Sequence, residues 1–368
     1  MHYFDRFPSL DRLATQSGSP GIASRGGIAS RGIASPGMVR AWVALCALAA
    51  AGPLHAAPPT NAGERDKSAS PPALHPADHM DDKAAVVDKA VAVEKAAEPR
   101  KFANQRYSQR EDHAGLCDVI LPGGAEPPPG GFPTVVIVHG GAWMSGDKWT
   151  IEGYARFLAE HGYATININY RLAPRYKFPS QVDDVREALV WAQENAARFS
   201  LDLRRIGLFG YSAGGHLSLL VSVLGDEPME TKLASSEWAA DDERWQKLPT
   251  IQAVCVGGPP CDFRNLPPEN TGLAYFLGGS RSEKPGVYEA ASPTAHVSAE
   301  DPPVHLIHGE ADSIVPIQNS LRFRERAQAV GVLCDLTTIA GQGHLITFMN
   351  PQTSKAMIEF FDKVLSQP

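Results

Sequence analysis

The sequence predicts an α/β fold with a mostly parallel central sheet and helices on both of its faces. From about residue 101 onward, short apolar runs typical of strands alternate with longer helical stretches, and this alternation is typical of βαβ units. One run, residues 135–138, reads Val-Val-Ile-Val, as expected of a strand that is buried on both faces. A glycine-rich turn at residues 210–214 joins a predicted strand to a predicted helix.

We predict six strands and five helices in this region. The strands cover residues 135–138, 164–170, 205–209, 251–256, 304–307 and 333–339. The helices cover residues 151–161, 182–199, 213–224, 318–330 and 354–365. Two irregular segments, 226–249 and 262–293, follow the third and fourth strands. Because ligands bind at the carboxyl ends of parallel strands, we expect these insertions to form a small cap or lid.

The overall composition is that of an ordinary globular protein. The chain has 368 residues, of which 43% are hydrophobic and 20% are charged, so it can bury a sizeable core. Its formal net charge is −7, and the chain therefore presents no basic field that would attract nucleic acid or an anionic membrane. We expect no nucleic-acid partner.

The first hundred residues differ in composition from the rest. Residues 1–37 contain a short repeat and are predicted to be a low-complexity segment, upstream of an alternative start at Met38. Residues 38–56 combine Arg40, an apolar run and small residues, which predicts a signal peptide, because the run is too short to cross a bilayer. A short buried helix is the alternative interpretation. We therefore expect an exported protein, periplasmic or secreted.

A disordered linker is predicted at residues 57–100, which are rich in Ala, Pro, Asp and Lys and have no aromatic side chain. Residues 101–368 form the predicted globular, catalytic domain. Of the cysteines that follow the signal peptide, Cys255 and Cys261 can pair in an oxidising compartment or remain free buried thiols. No cysteine has the spacing of a zinc site.

The pentapeptide Gly-Tyr-Ser-Ala-Gly at residues 210–214 indicates that Ser212 is a nucleophile. The G-x-S-x-G pattern places a serine on a sharp turn from strand to helix, where its hydroxyl is accessible. Gly210 and Gly214 leave room for the strand and the helix to pass close together. An ordinary glycine-rich turn is the alternative, and the predicted strand and helix on either side favour the nucleophile.

A second glycine motif, His-Gly-Gly-Ala-Trp, follows the first predicted strand. A serine that attacks an acyl group produces an oxyanion, and donors must already face it. We predict that the amides of Gly140, Gly141 and Ala213 form this oxyanion hole. His139 is expected to brace the loop, and Trp143 is expected either to bind substrate at the pocket mouth or only to pack.

An acid and a base follow the serine in the order of a Ser-Asp-His triad. Glu310 and Asp312 both come after a predicted strand, and we predict Asp312 as the acid, with Glu310 as the alternative. His344 ends a Gly-Gln-Gly-His turn after the last strand and is the predicted general base. The remaining nearby histidines are expected to be packing residues: His216, His305 and His308. The sequence contains no metal-binding motif, so neither metal nor cofactor is expected.

Together these motifs resemble the lipase/esterase family of the α/β-hydrolase fold. The matching stretches are HGGAWMSGDK at 139–148, the segment 169–196, FGYSAGGHLSLL at 209–220, HGEADSIVP at 308–316 and GQGH at 341–344. The chain is similar to hormone-sensitive-lipase-type enzymes and to bacterial acetyl- and feruloyl-esterase-like (BD-FAE-like) enzymes. Ala142 takes the place of a third glycine found in the hormone-sensitive-lipase branch, which favours the feruloyl-esterase-like and kynurenine-formamidase-like branch.

The resemblance implies the triad and the oxyanion hole named above, in a carboxylesterase-type serine hydrolase that acts through an acyl-enzyme. Asp183 and Asp184, at a predicted helix start, are expected to be structural. Short-chain, acetyl or feruloyl-type esters, free or linked to polysaccharide, are the expected substrates. An amide or formamide hydrolase and a prolyl-oligopeptidase-like peptidase remain alternatives on the same triad. A non-catalytic binding protein is disfavoured because the triad is complete.

Overall fold

The computed structural model describes residues 97–365. The predicted low-complexity segment 1–37, the signal peptide 38–56 and nearly all of the linker 57–100 lie outside the described residues. None of the described helices is both long enough and apolar enough to cross a membrane.

Eight strands of the described region form one sheet. They are β1 (Arg100–Arg106), β2 (Leu116–Leu121), β3 (Phe132–Val138), β4 (Ala164–Ile168), β5 (Leu201–Tyr211), β6 (Ala253–Gly257), β7 (Val304–Gly309) and β8 (Cys334–Ile339). Their order across the sheet is β1-β2-β4-β3-β5-β6-β7-β8. Strand β2 is antiparallel to both of its neighbours, whereas β3 to β8 are parallel. The carboxyl ends of these six strands therefore meet at one edge.

Nine α-helices are described between and after the strands. They are α1 (Glu152–Glu160), α2 (Ser180–Phe199), α3 (Ala213–Val223), α4 (Met229–Ala234), α5 (Ala274–Leu277), α6 (Pro285–Ala290), α7 (Gln318–Ala329), α8 (His344–Met349) and α9 (Pro351–Leu365). Short 3-10 turns cover His113–Gly115, Lys148–Ile151, Glu243–Lys247 and Pro293–Ala295.

The sheet has an apolar core on each face. Successive side chains of a strand point to opposite faces, so on β3 Val136 and Val138 enter one core and Val135 and Ile137 enter the other. Helices α2, α3 and α7 cover the first core, and helices α1 and α9 cover the second. The predicted α/β class, a mostly parallel sheet with helices on both faces, is confirmed.

Helix α9 lies directly on the middle of strand β5. A Cβ atom at Gly207 of β5 would lie only 2.9 Å from Cε1 of Phe361 and 3.2 Å from Cδ1 of Leu365. Distances this short are closer than ordinary van der Waals contact. Glycine at position 207 therefore allows α9 to pack closely against β5.

Strands β1 and β2 are not among the predicted strands. Strand β1 has the polar sequence RKFANQR and mostly exposed side chains, so no alternating pattern reveals it. The buried carboxylate of Asp118 on β2 holds this edge together. It pairs with Lys101 at 2.9 Å and with the buried Lys148 at 3.2 Å, and it accepts a hydrogen bond from the backbone amide of Asn104 at 2.8 Å.

The two predicted insertions are present. Residues 226–249 contain α4 and pack on the start of α2, where Asp183 accepts hydrogen bonds from Oγ of Ser236 at 2.7 Å and from the amide of Glu237 at 2.5 Å. Asp184 pairs with Arg171 at 2.9 Å, so both aspartates are engaged in structural contacts. Residues 262–293, which we call the cap segment, contain α5 and α6.

The four described cysteines are buried free thiols: Cys117, Cys255, Cys261 and Cys334. Burial raises the pKa of each thiol. Of the two alternatives for Cys255 and Cys261, the structure therefore contains the free thiols.

Candidate active site

Ser212 lies in a sharp turn between β5 and α3. Its backbone has φ 55° and ψ −121°, a strained conformation for a residue with a side chain. The amide of Ser212 donates to the carbonyl of Gly257 on β6 at 2.7 Å, which ties the turn to the neighbouring strand. A Cβ atom at Gly214 would overlap the carbonyl of Val138, and one at Gly210 would overlap Gly214 itself. The two glycines of the pentapeptide are therefore sterically required.

Asp312 and His344 are in direct contact. Nδ1 of His344 lies 2.6 Å from Oδ2 of Asp312, while Oδ1 of Asp312 accepts from the amides of Ile314 at 3.0 Å and Val315 at 2.8 Å. Glu310 is exposed on the same loop. Of the two acids considered for the triad, Asp312 is the one that contacts the histidine.

The Asp312 carboxyl is held as a carboxylate. Burial alone raises its pKa, but hydrogen bonds from His308 and His344, together with the Val315 amide, outweigh burial and hold the pKa well below its usual range. An ionised Asp312 accepts the Nδ1–H of His344, which leaves Nε2 of the neutral ring without a proton. This hydrogen bond favours the tautomer that a general base needs.

Main-chain and ring contacts fix the position of His344 at the start of α8. The hydroxyl of Tyr211 donates to the carbonyl of His344 at 2.7 Å. The imidazole lies over Gly258, where an added Cβ atom would be 2.8 Å from Cε1 of the ring. The backbone amide of Ser212 donates to Gly257 and the ring of His344 packs on Gly258, so both residues lie at the carboxyl end of β6.

The structure does not join Ser212 to His344 by a hydrogen bond. Nε2 of His344 is buried and has no partner among the described residues. Hydrogen bonds between nucleophile and base are often long in the absence of substrate and tighten in the complex. The role of Ser212, Asp312 and His344 as a triad stays a prediction.

His308, predicted from its place beside a strand to be a packing residue, is a second histidine on Asp312. Its Nε2 donates to the carbonyl of Val315 at 2.8 Å and lies 3.3 Å from Oδ2 of Asp312. Its Nδ1 lies 2.7 Å from Oγ of Ser320 on α7. His308 is fully buried. Its position at the carboxyl end of β7, four residues before Asp312, was the only sequence signal for this contact.

Residues 139–146, which we call the oxyanion loop, contain the predicted donors Gly140 and Gly141, and hydrogen bonds to the carbonyl groups hold this loop. The carbonyl of Gly140 accepts from Nδ1 of His139 at 2.7 Å. The carbonyl of Gly141 accepts from the amides of Met144 and Ser145 at 3.1 and 3.0 Å. The amides of Gly140 and Gly141 have no hydrogen-bond acceptor within residues 97–365. These N–H groups are available to a substrate oxygen, and their role stays a prediction.

Two residues of this loop are in the left-handed region although they carry side chains. Ala142 has φ 52° and Trp143 has φ 59°, and each costs on the order of 1 kcal/mol relative to the right-handed region. Gly141 has φ 120°, and a Cβ atom there would overlap Ser145. The loop is therefore strained, and contacts from outside must hold it.

His139 braces the loop, as predicted from its position. Its ring stacks on Tyr170, with ring centroids 4.2 Å apart, and the Tyr170 hydroxyl donates to the His139 carbonyl at 3.1 Å. Burial lowers the pKa of His139 to about 4, so the ring is neutral at pH 7.

Trp143 is buried, with 4% of its surface exposed. Its ring stacks on Phe276 of the cap segment at 4.4 Å and 5°, and its Nε1 donates to Nδ1 of His216 at 3.2 Å. His216 in turn donates from Nε2 to the carbonyl of Ala291 at 2.7 Å. These contacts are packing contacts, and a role of Trp143 in substrate binding stays a prediction.

No group of three or more His, Cys, Asp or Glu side chains that could hold a metal ion occurs in the part of the chain that the structure describes.

Comparison with known proteins identifies relatives along most of the described region. A family model described as BD-FAE matches residues 117–327, which is more than half of the chain. Esterase LipC of Mycobacterium tuberculosis is 31% identical over 205 residues, a match that covers 54% of this chain and 49% of LipC. The chain spans about half the length of the curated relatives it matches.

Solved structures share the fold. A truncated form of a carbohydrate esterase from gut microbiota has a TM-score of 0.66 at 23% identity, over 74% of this chain and 99% of that chain. A bifunctional GH43-CE of Bacteroides eggerthii has a TM-score of 0.62 at 28% identity, over 72% of this chain and 38% of that chain. The α/β-hydrolase fold is thereby confirmed.

Proposed function

The chain belongs to the BD-FAE family, and on that premise we propose that it is a serine carboxylesterase that works through an acyl-enzyme. The observation that carries the proposal is the hydrogen bond of 2.6 Å between Nδ1 of His344 and Asp312, close to the strained turn of Ser212. A histidine with one nitrogen on a carboxylate and the other unpartnered can take a proton from a serine. The names of relatives such as esterase LipC support the same reaction class.

Acylation begins when Oγ of Ser212 attacks the carbonyl carbon of the ester and Nε2 of His344 takes the hydroxyl proton. Asp312 stabilises the imidazolium that forms and keeps the ring in place. The negative charge develops on the former carbonyl oxygen. The amides of Gly140, Gly141 and Ala213 donate to that oxygen, and preorganised donors of this kind supply much of the rate enhancement.

Collapse of the tetrahedral intermediate releases the alcohol. The bond from the acyl carbon to the alcohol oxygen breaks, and Nε2 of His344 gives its proton to that oxygen. Deacylation repeats the two steps with water. His344 takes a proton from the water as its oxygen attacks the acyl carbon, and then returns the proton to Oγ of Ser212 as the acid leaves.

A pair of matched serine variants tests this mechanism. Ser212→Ala should lower kcat on p-nitrophenyl acetate by about 10⁴-fold or more. Ser218→Ala is the control, because Ser218 lies on the same helix α3, is fully buried and has no partner for its hydroxyl in the described region. Its kcat should stay near that of the wild type. Turnover that survives Ser212→Ala would overturn the proposal.

The bond that is cleaved can be tested with a matched ester and anilide, p-nitrophenyl acetate and p-nitroacetanilide. We expect the ester to be hydrolysed much faster by the purified protein. Cleavage of the anilide alone would favour the amide-hydrolase alternative. Failure of a fluorophosphonate to label Ser212 in the folded protein would favour a non-catalytic binding role.

Short-chain, acetyl or feruloyl-type esters are the proposed substrate class, free or linked to polysaccharide. Membership of the BD-FAE family supports this class. A panel of acetyl, butyryl, long-chain acyl and feruloyl esters, compared by kcat/KM, tests it. A preference for long-chain acyl groups over all the others would contradict it.

Export to the periplasm or the medium is proposed from the predicted signal peptide at residues 38–56, which lies outside the described residues. Residues 38–57 fused to alkaline phosphatase, which is active only after export, should give phosphatase activity. The same fusion without residues 41–51 is the control. Equal activity from both fusions, or none from the intact one, would contradict export.

A further inference from the structure

The cap segment contacts the oxyanion loop from outside the sheet. The hydroxyl of Tyr275 on α5 donates to the carbonyl of Ala142 at 3.0 Å. The neighbouring Phe276 stacks on the indole of Trp143. Ala291, at the end of α6, accepts the hydrogen bond from His216, whose other ring nitrogen holds the indole N–H of Trp143. The first two contacts end on Ala142 and Trp143 directly, and the third reaches Trp143 through His216.

These two residues are the strained part of the loop. Ala142 and Trp143 have φ values of 52° and 59°, which a chain without outside support would leave for more favourable angles. A backbone strain of this kind persists only when surrounding contacts impose it. Relaxation of Ala142 would turn the peptide planes of Gly140 and Gly141, because they are consecutive in the chain.

Tyr275 is well placed to impose the conformation. Burial raises the pKa of its hydroxyl to about 12, so the group stays protonated and donates throughout the neutral range. Its helix α5 is itself anchored, since the amide of Phe178 donates to the carbonyl of Phe276 at 2.9 Å. The Ala142 carbonyl receives no other hydrogen bond from the described residues.

We propose that the cap segment, through Tyr275, positions the oxyanion hole, so that Tyr275 is a positioning residue for the ester hydrolysis. This inference rests on the proposed function. Tyr275 acts through its hydrogen bond to the Ala142 carbonyl. Its loss is expected to misorient the donors for the transition state and to leave ground-state binding of the ester nearly unchanged.

The kinetic test compares two tyrosine variants of the full chain. Tyr275→Phe keeps the ring and removes the hydroxyl, and should lower kcat on p-nitrophenyl acetate about tenfold with KM within about twofold. Tyr288→Phe is the control, because the buried Tyr288 lies in the same segment and donates to the carbonyl of Gly279 at 3.1 Å, away from the loop. Its kcat should match the wild type. The acid limb of the pH profile should stay unchanged in both variants.

Hydrogen exchange of the peptide that covers residues 139–146 gives a readout that does not need turnover. Its amides should exchange several-fold faster in Tyr275→Phe than in the wild type, and at the wild-type rate in Tyr288→Phe. If the wild type has no Ser212-dependent turnover, the proposed function fails and exchange still decides the role of Tyr275. The inference would be overturned if the amides of residues 139–146 exchanged at the wild-type rate in Tyr275→Phe, or if both variants lost kcat equally.

Discussion

A single methyl group added at Gly258 is expected to displace the proposed catalytic base. In Gly258→Ala the new Cβ atom would lie 2.8 Å from Cε1 and 3.0 Å from Nδ1 of His344. Ordinary contact begins near 3.4 Å, so the ring must move by about 0.6 Å, and Nδ1 is the atom that bonds Asp312. A misplacement of about 1 Å can cost about 100-fold, so we expect the smaller shift here to lower kcat roughly tenfold, or by about 1.4 kcal/mol in the barrier.

The same substitution also strains the backbone. Gly258 has φ 52°, where alanine costs about 1–2 kcal/mol, so the free energy of unfolding should fall by a similar amount. Gly286→Ala on α6 is the control, because nothing lies within 4 Å of its added Cβ atom. Steady-state kinetics on p-nitrophenyl acetate and urea unfolding measure both effects. A Gly258→Ala enzyme with wild-type kcat would refute the assignment of His344 as a closely packed base.

Three further predictions concern the acid and its neighbour. Asp312→Asn should lower kcat by about 10⁴-fold, because His344 loses its anionic acceptor, whereas Glu310→Gln should keep kcat within about twofold. An equal loss of kcat in the two variants would contradict the choice of Asp312 as the acid. Because the folded pKa of Asp312 is depressed, its stabilising contribution is present above the unfolded pKa of about 4 and is lost as pH falls through the folded value. The difference in unfolding free energy between wild type and Asp312→Asn should therefore shrink below about pH 4. A difference that stays constant down to pH 2 would argue against this. His308→Phe removes a donor from Asp312 and should lower kcat about tenfold, with partial rescue by His308→Gln; wild-type kcat in His308→Phe would mean that His308 only packs.

The centre of the parallel sheet was predictable because strands such as β3 and β6 are buried on both faces. Such strands need continuous β-branched or apolar runs, like residues 135–138, and these stand out from helical stretches. Strand β1 could not be found in this way. Its residues form a strand because they pair with β2 and because Lys101 reaches the Asp118 carboxylate, and both are tertiary contacts.

Candidate site residues were found where the chemistry is tied to a local motif at a strand end, as with Ser212 and His344. Contacts between distant parts of the chain left no such mark. Tyr275 lies 133 residues after Ala142, and its α5 helix has only four residues, too few for a periodic pattern. The contact of His308 with Asp312 depends on the path of the loop between them, which the sequence pattern does not determine.

The packing of α9 on β5 has a consequence for the stage of synthesis at which the protein can become active. The strand that carries Ser212 at its carboxyl end is packed against Phe361 and Leu365, which leave the ribosome more than a hundred residues later. Asp312 and His344 also follow late in the chain. A nascent chain that has completed the serine turn therefore lacks both the proposed base and the helix that packs on its central strand. The proposed esterase activity should appear only after nearly the whole domain has been made.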